Sequence, residues 1–173
     1  GVEWVLEQAH TPKVDVVEAV EKGKSAFVGP EVYKKTLGVI GLGAIGAMVA
    51  NDALSLGMDV IGYDPFITIE AAWSLKKEVR RAVSLEQLVA QSDIITIHVP
   101  LSDKTRDTIN EEVLAKTKKG AILLNFARGG LVNNEALKDA LKKGIISKYV
   151  VDFPDEEVIG IEGIIAVPHL GAS

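Results

Sequence analysis

Residues Gly41-Leu42-Gly43-Ala44-Ile45-Gly46 have the spacing G-x-G-x-x-G, directly after the apolar run TLGVI and ahead of a stretch that reads as a helix. In that context each glycine has a use. Gly41 permits a tight turn, Gly43 lets a pyrophosphate approach the backbone, and Gly46 lets the helix lie close on the strand. The helix start, with Ala44 and Ile45 in its first turn, offers free N–H donors and the positive end of a dipole to phosphates. Asp64 closes the next apolar run, eighteen residues after Gly46. An acid there accepts hydrogen bonds from the adenosine ribose hydroxyls. Pro65 and Phe66 follow without a positive charge, and the acid would repel a 2′-phosphate, so NAD is expected over NADP.

Later apolar runs also end in polar groups. His98 and Pro100 close one, Arg128 follows another, Asp152 ends a third, and His169 ends the last. In a parallel sheet with helices on both faces, ligands bind beyond the carboxyl ends of the strands, so these groups would converge on one crevice. The planar fork of arginine suits two oxygens at once. Imidazole titrates near neutral pH, which suits it to carry a proton.

The elements that must position these groups alternate regularly. Strands are expected at 36–40, 58–64, 80–83, 94–100, 121–127, 148–153 and 164–168. Between them the pattern predicts a helix from the glycine loop to about Leu56, stopped by Gly57, and helices over 69–77, 84–92, 111–117 and 134–144. Ser84 with Gln87 forms a capping-box pattern, and Asn110 and Asn133 are placed to cap the next two helices. Alternation of this kind predicts an α/β fold: a doubly wound, mostly parallel Rossmann sheet of seven strands with helices on both faces. Residues 1–30 differ. VEWVLEQAH and VDVVEAVEKG are helical stretches broken at Thr11-Pro12, and they read as a helical arm leading into the sheet domain at 31–173.

Composition narrows the function classes. The formal net charge is −5, which argues against a general nucleic-acid or acidic-membrane surface. An anionic ligand therefore needs a local site. With no cysteine, disulfides and thiolate chemistry are excluded. No uninterrupted apolar stretch is long enough for a membrane helix. The start, GVEWVLEQAH, lacks both a signal-peptide pattern and an initiating Met, as expected of a processed chain or a piece of a longer one. No metal site is expected.

Four motifs, in order, resemble those of the D-isomer-specific 2-hydroxyacid dehydrogenases: KTLGVIGLGAIG with IGYDP, then IIxIHVPLxxxT over 94–105, then AILLNFARGGLVNNEAL, then VPHLGAS. The resemblance covers nearly the whole chain and implies the nucleotide-binding domain of an NAD-dependent dehydrogenase. It makes Arg128 the group that holds the substrate's carboxylate and carbonyl, and His169 the acid/base. It makes Glu157 the carboxylate that orients the imidazole, although DFPDEEVIG departs from the usual pattern there and Glu156 lies next to it. It also implies cofactor contacts from His98, Val99, Pro100, the Thr105 hydroxyl, Phe126, Ala127 and Arg128. Asp152 would lie near the nicotinamide carboxamide, with Gly171 and Ala172 beside the ring. The expected reaction is hydride transfer between NAD and a D-2-hydroxy acid, 3-phosphoglycerate above all, with glyoxylate or hydroxypyruvate as alternatives. A dinucleotide-sensing corepressor is the alternative from another class. The family's substrate-binding domain is absent from this chain, so little turnover is expected of it alone. The resemblance further implies a homodimer built with the helical arm, or a higher oligomer, and a cytoplasmic setting.

Overall fold

The computed structural model describes residues 10, 15–27, 29 and 31–169. The chain divides into two compact units, Gly1–Glu31 and Val32–Ser173. In the first, Asp15 caps helix α1 (Val16–Gly23) by accepting the N–H groups of Val17 and Glu18 on its Oδ1 at 3.0 and 3.2 Å. A single 3-10 turn, Lys24–Phe27, follows. The helix expected before Thr11-Pro12 falls outside the described residues, apart from His10.

The second unit is built on seven parallel strands: β1 (Thr36–Ile40), β2 (Asp59–Tyr63), β3 (Arg80–Arg81), β4 (Ile94–Ile97), β5 (Ala121–Asn125), β6 (Ile146–Val151) and β7 (Ile164–Ala166). Their order across the sheet is β3-β2-β1-β4-β5-β6-β7. The chain runs outward from β1 in one direction, then returns to start again at β4 on its other side. That reversal, between β1 and β4, is where a doubly wound sheet opens a crevice at its carboxyl edge.

Five helices connect the strands: α2 (Ala44–Ser55), α3 (Ile69–Ser74), α4 (Leu85–Gln91), α5 (Glu111–Lys116) and α6 (Asn134–Lys142). Alternate strand residues feed two cores. Leu37, Val39 and Val60 pack with Ala50 and Ala53 of α2. Ile40, Ile61, Ile95, Ile97 and Leu123 join Leu88, Val113 and Leu137 of α4, α5 and α6. The helix starts behave as their sequences predict. Asn110 and Asn133 accept the Val113 and Ala136 N–H groups, each at 3.0 Å. Ser84 accepts from Gln87 N at 3.2 Å, while the Gln87 side chain reaches one residue further back, to Val83 N.

Several elements are shorter than their apolar patterns. The helix expected over 69–77 stops at Ser74, because Leu75 turns to extended backbone. Asn51 of α2 fixes that exit, donating to Ser74 O at 2.8 Å and accepting from Lys76 N at 2.9 Å. Strand β3 is only two residues long, and β4 and β5 end three and two residues early, at Ile97 and Asn125. The residues beyond them leave the sheet as loops and form the crevice wall. Strand β6 begins at Ile146 and ends at Val151, two residues ahead of expectation at each end.

Gly38, in the middle of β1, shows how tightly α4 is seated. A Cβ there would overlap the Ser92 Oγ and lie 2.5 Å from Leu88 Cδ2, and both of those residues are fully buried. Ser92 is also tied to Leu88 O at 2.7 Å, so it cannot yield freely. Gly38→Ala is expected to destabilise the fold by about 1–3 kcal/mol, the usual range for overpacking, read as a lower urea midpoint at unchanged slope.

Candidate functional site

The glycine loop leaves β1 at Gly41, whose φ of +89° lies in the left-handed region. Its N–H donates to Tyr63 O at 2.9 Å, and a Cβ would lie 2.7 Å from His98 O and Val99 Cγ1. Position 41 therefore demands glycine twice, for backbone angle and for space. Gly46 is equally confined, since a Cβ there would overlap the Gly41 carbonyl. Gly43 differs: it is extended, caps α2 without a side chain, and has nothing within 4 Å of where a Cβ would be. The first intrahelical bond runs from Ala47 N to Gly43 O, so the N–H groups of Ala44, Ile45 and Gly46 have no intrahelical acceptor. The result is an open cradle of donors at the positive end of a twelve-residue helix.

Asp64, one residue past β2, lies against that cradle. Its Oδ2 accepts from Leu42 N at 2.8 Å, and its Oδ1 accepts from Phe66 N at 2.8 Å. Each oxygen keeps further acceptor capacity for a ligand hydroxyl. The carboxylate thus shapes the glycine loop as well as facing the ligand.

At the end of β4, His98 N donates to Ile40 O at 2.7 Å and His98 Nε2 pairs with Thr96 Oγ1 at 3.0 Å. Burial holds the imidazole pKa below its ordinary 6.5, favouring the neutral ring. Val99 and Pro100 continue the wall. Thr105 ties down the loop that follows. Its hydroxyl donates to Pro100 O at 2.6 Å and accepts from Ser102 N at 2.8 Å, stapling the loop after β4.

Beyond β5 the chain curls over a fully buried residue, Asn125. Its Nδ2 donates to Arg128 O at 2.9 Å and its Oδ1 accepts from Ala127 N at 3.2 Å. Phe126, Ala127 and Arg128 face an open cleft of about 510 Å³ that Ile45, His98 and Pro100 also line. The exposed guanidinium of Arg128 stands 5.3 Å from the Phe153 ring, with Nη1 donating to Ala127 O at 2.7 Å.

Phe153 also touches His169, at 4.3 Å between ring centroids with a 37° tilt. His169 Nδ1 lies 2.8 Å from Asp152 Oδ2. A carboxylate only accepts, so Nδ1 is the donor in this pair. The second oxygen of Asp152, Oδ1, is buried without a partner among the described residues. Arg128, Phe153, His169 and Asp152 therefore form one connected group at the carboxyl ends of β5, β6 and β7.

Glu157 is not bonded to His169 in this structure. Its Oε2 accepts from Asn134 Nδ2 at 2.9 Å, and Asp155 Oδ2 accepts from the same amide at 3.1 Å. Asp155 Oδ1 also takes the Glu157 N–H, at 3.1 Å. This turn directs Glu157 toward the start of α6, and the imidazole is paired by Asp152 instead. Gly171 and Ala172 lie outside the described residues. Two residues at the site were missed by reading the sequence. Phe153 was hidden in an acidic loop, whereas Asn125 left a signal: a polar residue closing the apolar run AILLN.

Comparison with known proteins agrees with this arrangement. The profile of the family described as "D-isomer specific 2-hydroxyacid dehydrogenase, NAD binding domain" matches residues 6–171. The chain belongs to this family. The D-3-phosphoglycerate dehydrogenase of Bacillus subtilis (strain 168) is 40% identical over 171 residues, covering 95% of this chain and 32% of that protein. That of Methanocaldococcus jannaschii is 44% identical over 159 residues, covering 88% of this chain and 30% of that protein. The apo D-mandelate dehydrogenase of Rhodotorula graminis superposes with a TM-score of 0.79 at 27% identity, covering 99% of this chain and 52% of that one. D-lactate dehydrogenase with NAD+ from Lactobacillus jensenii gives a TM-score of 0.71 at 27% identity, covering 88% of this chain and 53% of that one. The chain thus spans about three-tenths of the length of the curated relatives it matches. It matches the family's NAD-binding domain, and the open cradle at Gly43 beside Asp64 fits that cofactor.

His98 carries a pH consequence. Its folded-state pKa is depressed, so below pH 6.5 the unfolded chain takes up a proton that the native state resists. Stability is fully present above that pH and is lost as pH falls from there toward the depressed value. His98→Gln, measured by thermal melts between pH 7.5 and 5, is expected to flatten this decline. Parallel curves for the two proteins would show that His98 does not contribute to it.

Proposed function

We propose that this chain is the cofactor half of an enzyme that oxidises 3-phosphoglycerate to 3-phosphohydroxypyruvate, the entry to serine synthesis. The observation that carries the reading is the meeting of Arg128 and His169 across Phe153, on the same sheet edge as the glycine cradle. The names of the curated relatives support the choice of substrate.

When bound, NAD supplies the acceptor for the hydride. The chain's own residues do the rest. The glycine loop and the start of α2 hold phosphates, and Asp64 accepts from ribose hydroxyls. Arg128 grips the substrate carboxylate with two parallel N–H donors. His169 takes the hydroxyl proton on Nε2, and Asp152 holds the ring in the required tautomer and stabilises the imidazolium that results. In the reductive direction His169 returns that proton to the carbonyl oxygen. The proposal includes the homodimer, with residues 1–30 as its arm, and the cytoplasmic setting expected from the family resemblance. Among the described residues, no helix is long and apolar enough to cross a membrane.

Two measurements test the roles. Titration calorimetry on this chain should show NADH binding at least about tenfold tighter than NADPH, since an acid facing a 2′-phosphate costs several kcal/mol. Asp64→Asn should narrow that gap, and equal affinities in the unsubstituted chain would remove the role given to Asp64. The second concerns the partner of His169, read in the longest gene product that contains this chain. Asp152→Asn is expected to lower kcat/KM at least about tenfold and Glu157→Gln to leave it within about twofold; the reverse result would give the role to Glu157.

A further inference from the structure

Tyr149 lies on β6, far from solvent, with only 4% of its surface exposed. Its neighbours in the main core are aliphatic, so a buried phenol hydroxyl is stable there only with a hydrogen-bond partner. The partner is Asn125, whose Nδ2 donates to Tyr149 Oη at 3.2 Å. Asn125 is itself fully buried, and each of its amide bonds has a distinct destination. One Nδ2 hydrogen goes to Arg128 O and the other to Tyr149, while Oδ1 receives the Ala127 N–H. Two of the three bonds hold the loop that presents Arg128. The third alone comes from outside that loop, and it anchors the amide to the next strand of the sheet.

This arrangement fixes which way the amide faces. Turned over, the Asn125 oxygen would oppose the Arg128 carbonyl and its NH2 would oppose the Ala127 N–H, two buried mismatches at once. The Tyr149 hydroxyl accepts the hydrogen that neither loop group can take, so it tethers the correctly oriented amide to β6. Strand β6 then serves both halves of the chemistry. Tyr149 steadies the loop of Arg128, and Asp152, three residues on, pairs with His169.

We propose that Tyr149 is a positioning residue for Arg128, acting through Asn125; the catalytic part of this inference rests on the role given to Arg128 above. Phenylalanine at 149 keeps the ring and its packing and removes only the acceptor. In the longest gene product containing this chain, Tyr149→Phe is expected to lower kcat/KM for the 2-hydroxy acid on the order of tenfold, the scale of one buried hydrogen bond. The KM for NAD should rise less than that for the 2-hydroxy acid, because the phosphate cradle and Asp64 follow β1 and β2, and the loop of Phe126 and Ala127 supplies only part of the cofactor's wall. In an Arg128→Lys background the same change should have little further effect, since the group being positioned is already gone. An equal loss in both backgrounds, a parallel loss of NAD affinity, or no loss at all would overturn the proposal. Hydrogen exchange provides a readout without turnover. The Ala127 amide, bonded to Asn125 Oδ1, should exchange about tenfold faster in Tyr149→Phe while the Leu123 amide of β5 keeps its rate. Unchanged Ala127 protection would overturn the inference even in an active enzyme. If the unsubstituted protein oxidises no 2-hydroxy acid, the proposed function fails, and the exchange rates alone decide whether Tyr149 holds the loop.

Discussion

The hydrogen bond from His98 N to Ile40 O is the constraint on which the site depends. It extends the pairing of β1 with β4 one step beyond the strands, at the point where the sheet's order reverses. That step draws the backbone of His98 over Gly41, close enough to exclude any Cβ there. The turn at Gly41 then returns the chain into α2, and Gly46 lets the helix sit against that turn. The open cradle at Gly43 is a consequence: the surrounding backbone is packed too closely to move, while the one position facing the ligand is left empty of side chain. A preorganised donor set of this kind loses little ordering entropy when a phosphate arrives.

Polar groups at the strand ends follow a common rule. Each is drawn under the loop beyond its strand, and each has a partner that repays its desolvation. His98 has Thr96, Asn125 has the Arg128 loop, and Asp152 has His169. Asp152 is the exception in one atom, the buried Oδ1, which has no partner among the described residues. The overall charge of −5 does not set the field in this crevice. A helix N-terminus and Arg128 supply positive potential there, suited to the phosphates of a dinucleotide.

Much of the fold was legible because the chemistry of a parallel sheet is local. Apolar runs such as IITI and AILLN can be read as strands buried on both faces, and Asn110, Asn133 and Ser84 announce the helices they cap. Strand ends were less legible. An apolar run continues into the crevice wall at Val99 and Phe126, so hydrophobicity does not mark where pairing stops. The helix after Thr68 ended early because of Asn51, a residue distant in sequence whose amide takes over the exit. Glycine spacing located the cradle, since those positions are dictated by backbone sterics. Counting along the chain could not foresee the contacts of Glu157, because Asp155 and Glu157 share the Asn134 amide in a turn whose geometry the spacing does not show. Phe153 had no periodic signature at all; its place between Arg128 and His169 exists only in three dimensions.

That place bears on how the site handles charge. Under the proposed mechanism, proton transfer to His169 would create a second cation near a permanent one, Arg128, and the two would repel each other. Phe153 lies against both, and the face of its ring is electron-rich, which favours a cation on either side. Asp152 offsets the imidazolium directly at 2.8 Å. The carboxylate of the proposed substrate would offset Arg128. Each positive charge would therefore have its own anion, and only one of those anions belongs to the protein. A neutral alcohol entering the same cleft would leave Arg128 without a counter-charge at the moment His169 becomes cationic. Under the proposed mechanism, preference for a 2-hydroxy acid over a simple alcohol would arise in the transition state as well as in binding, because the substrate carboxylate would complete the charge pairing that the proton transfer requires.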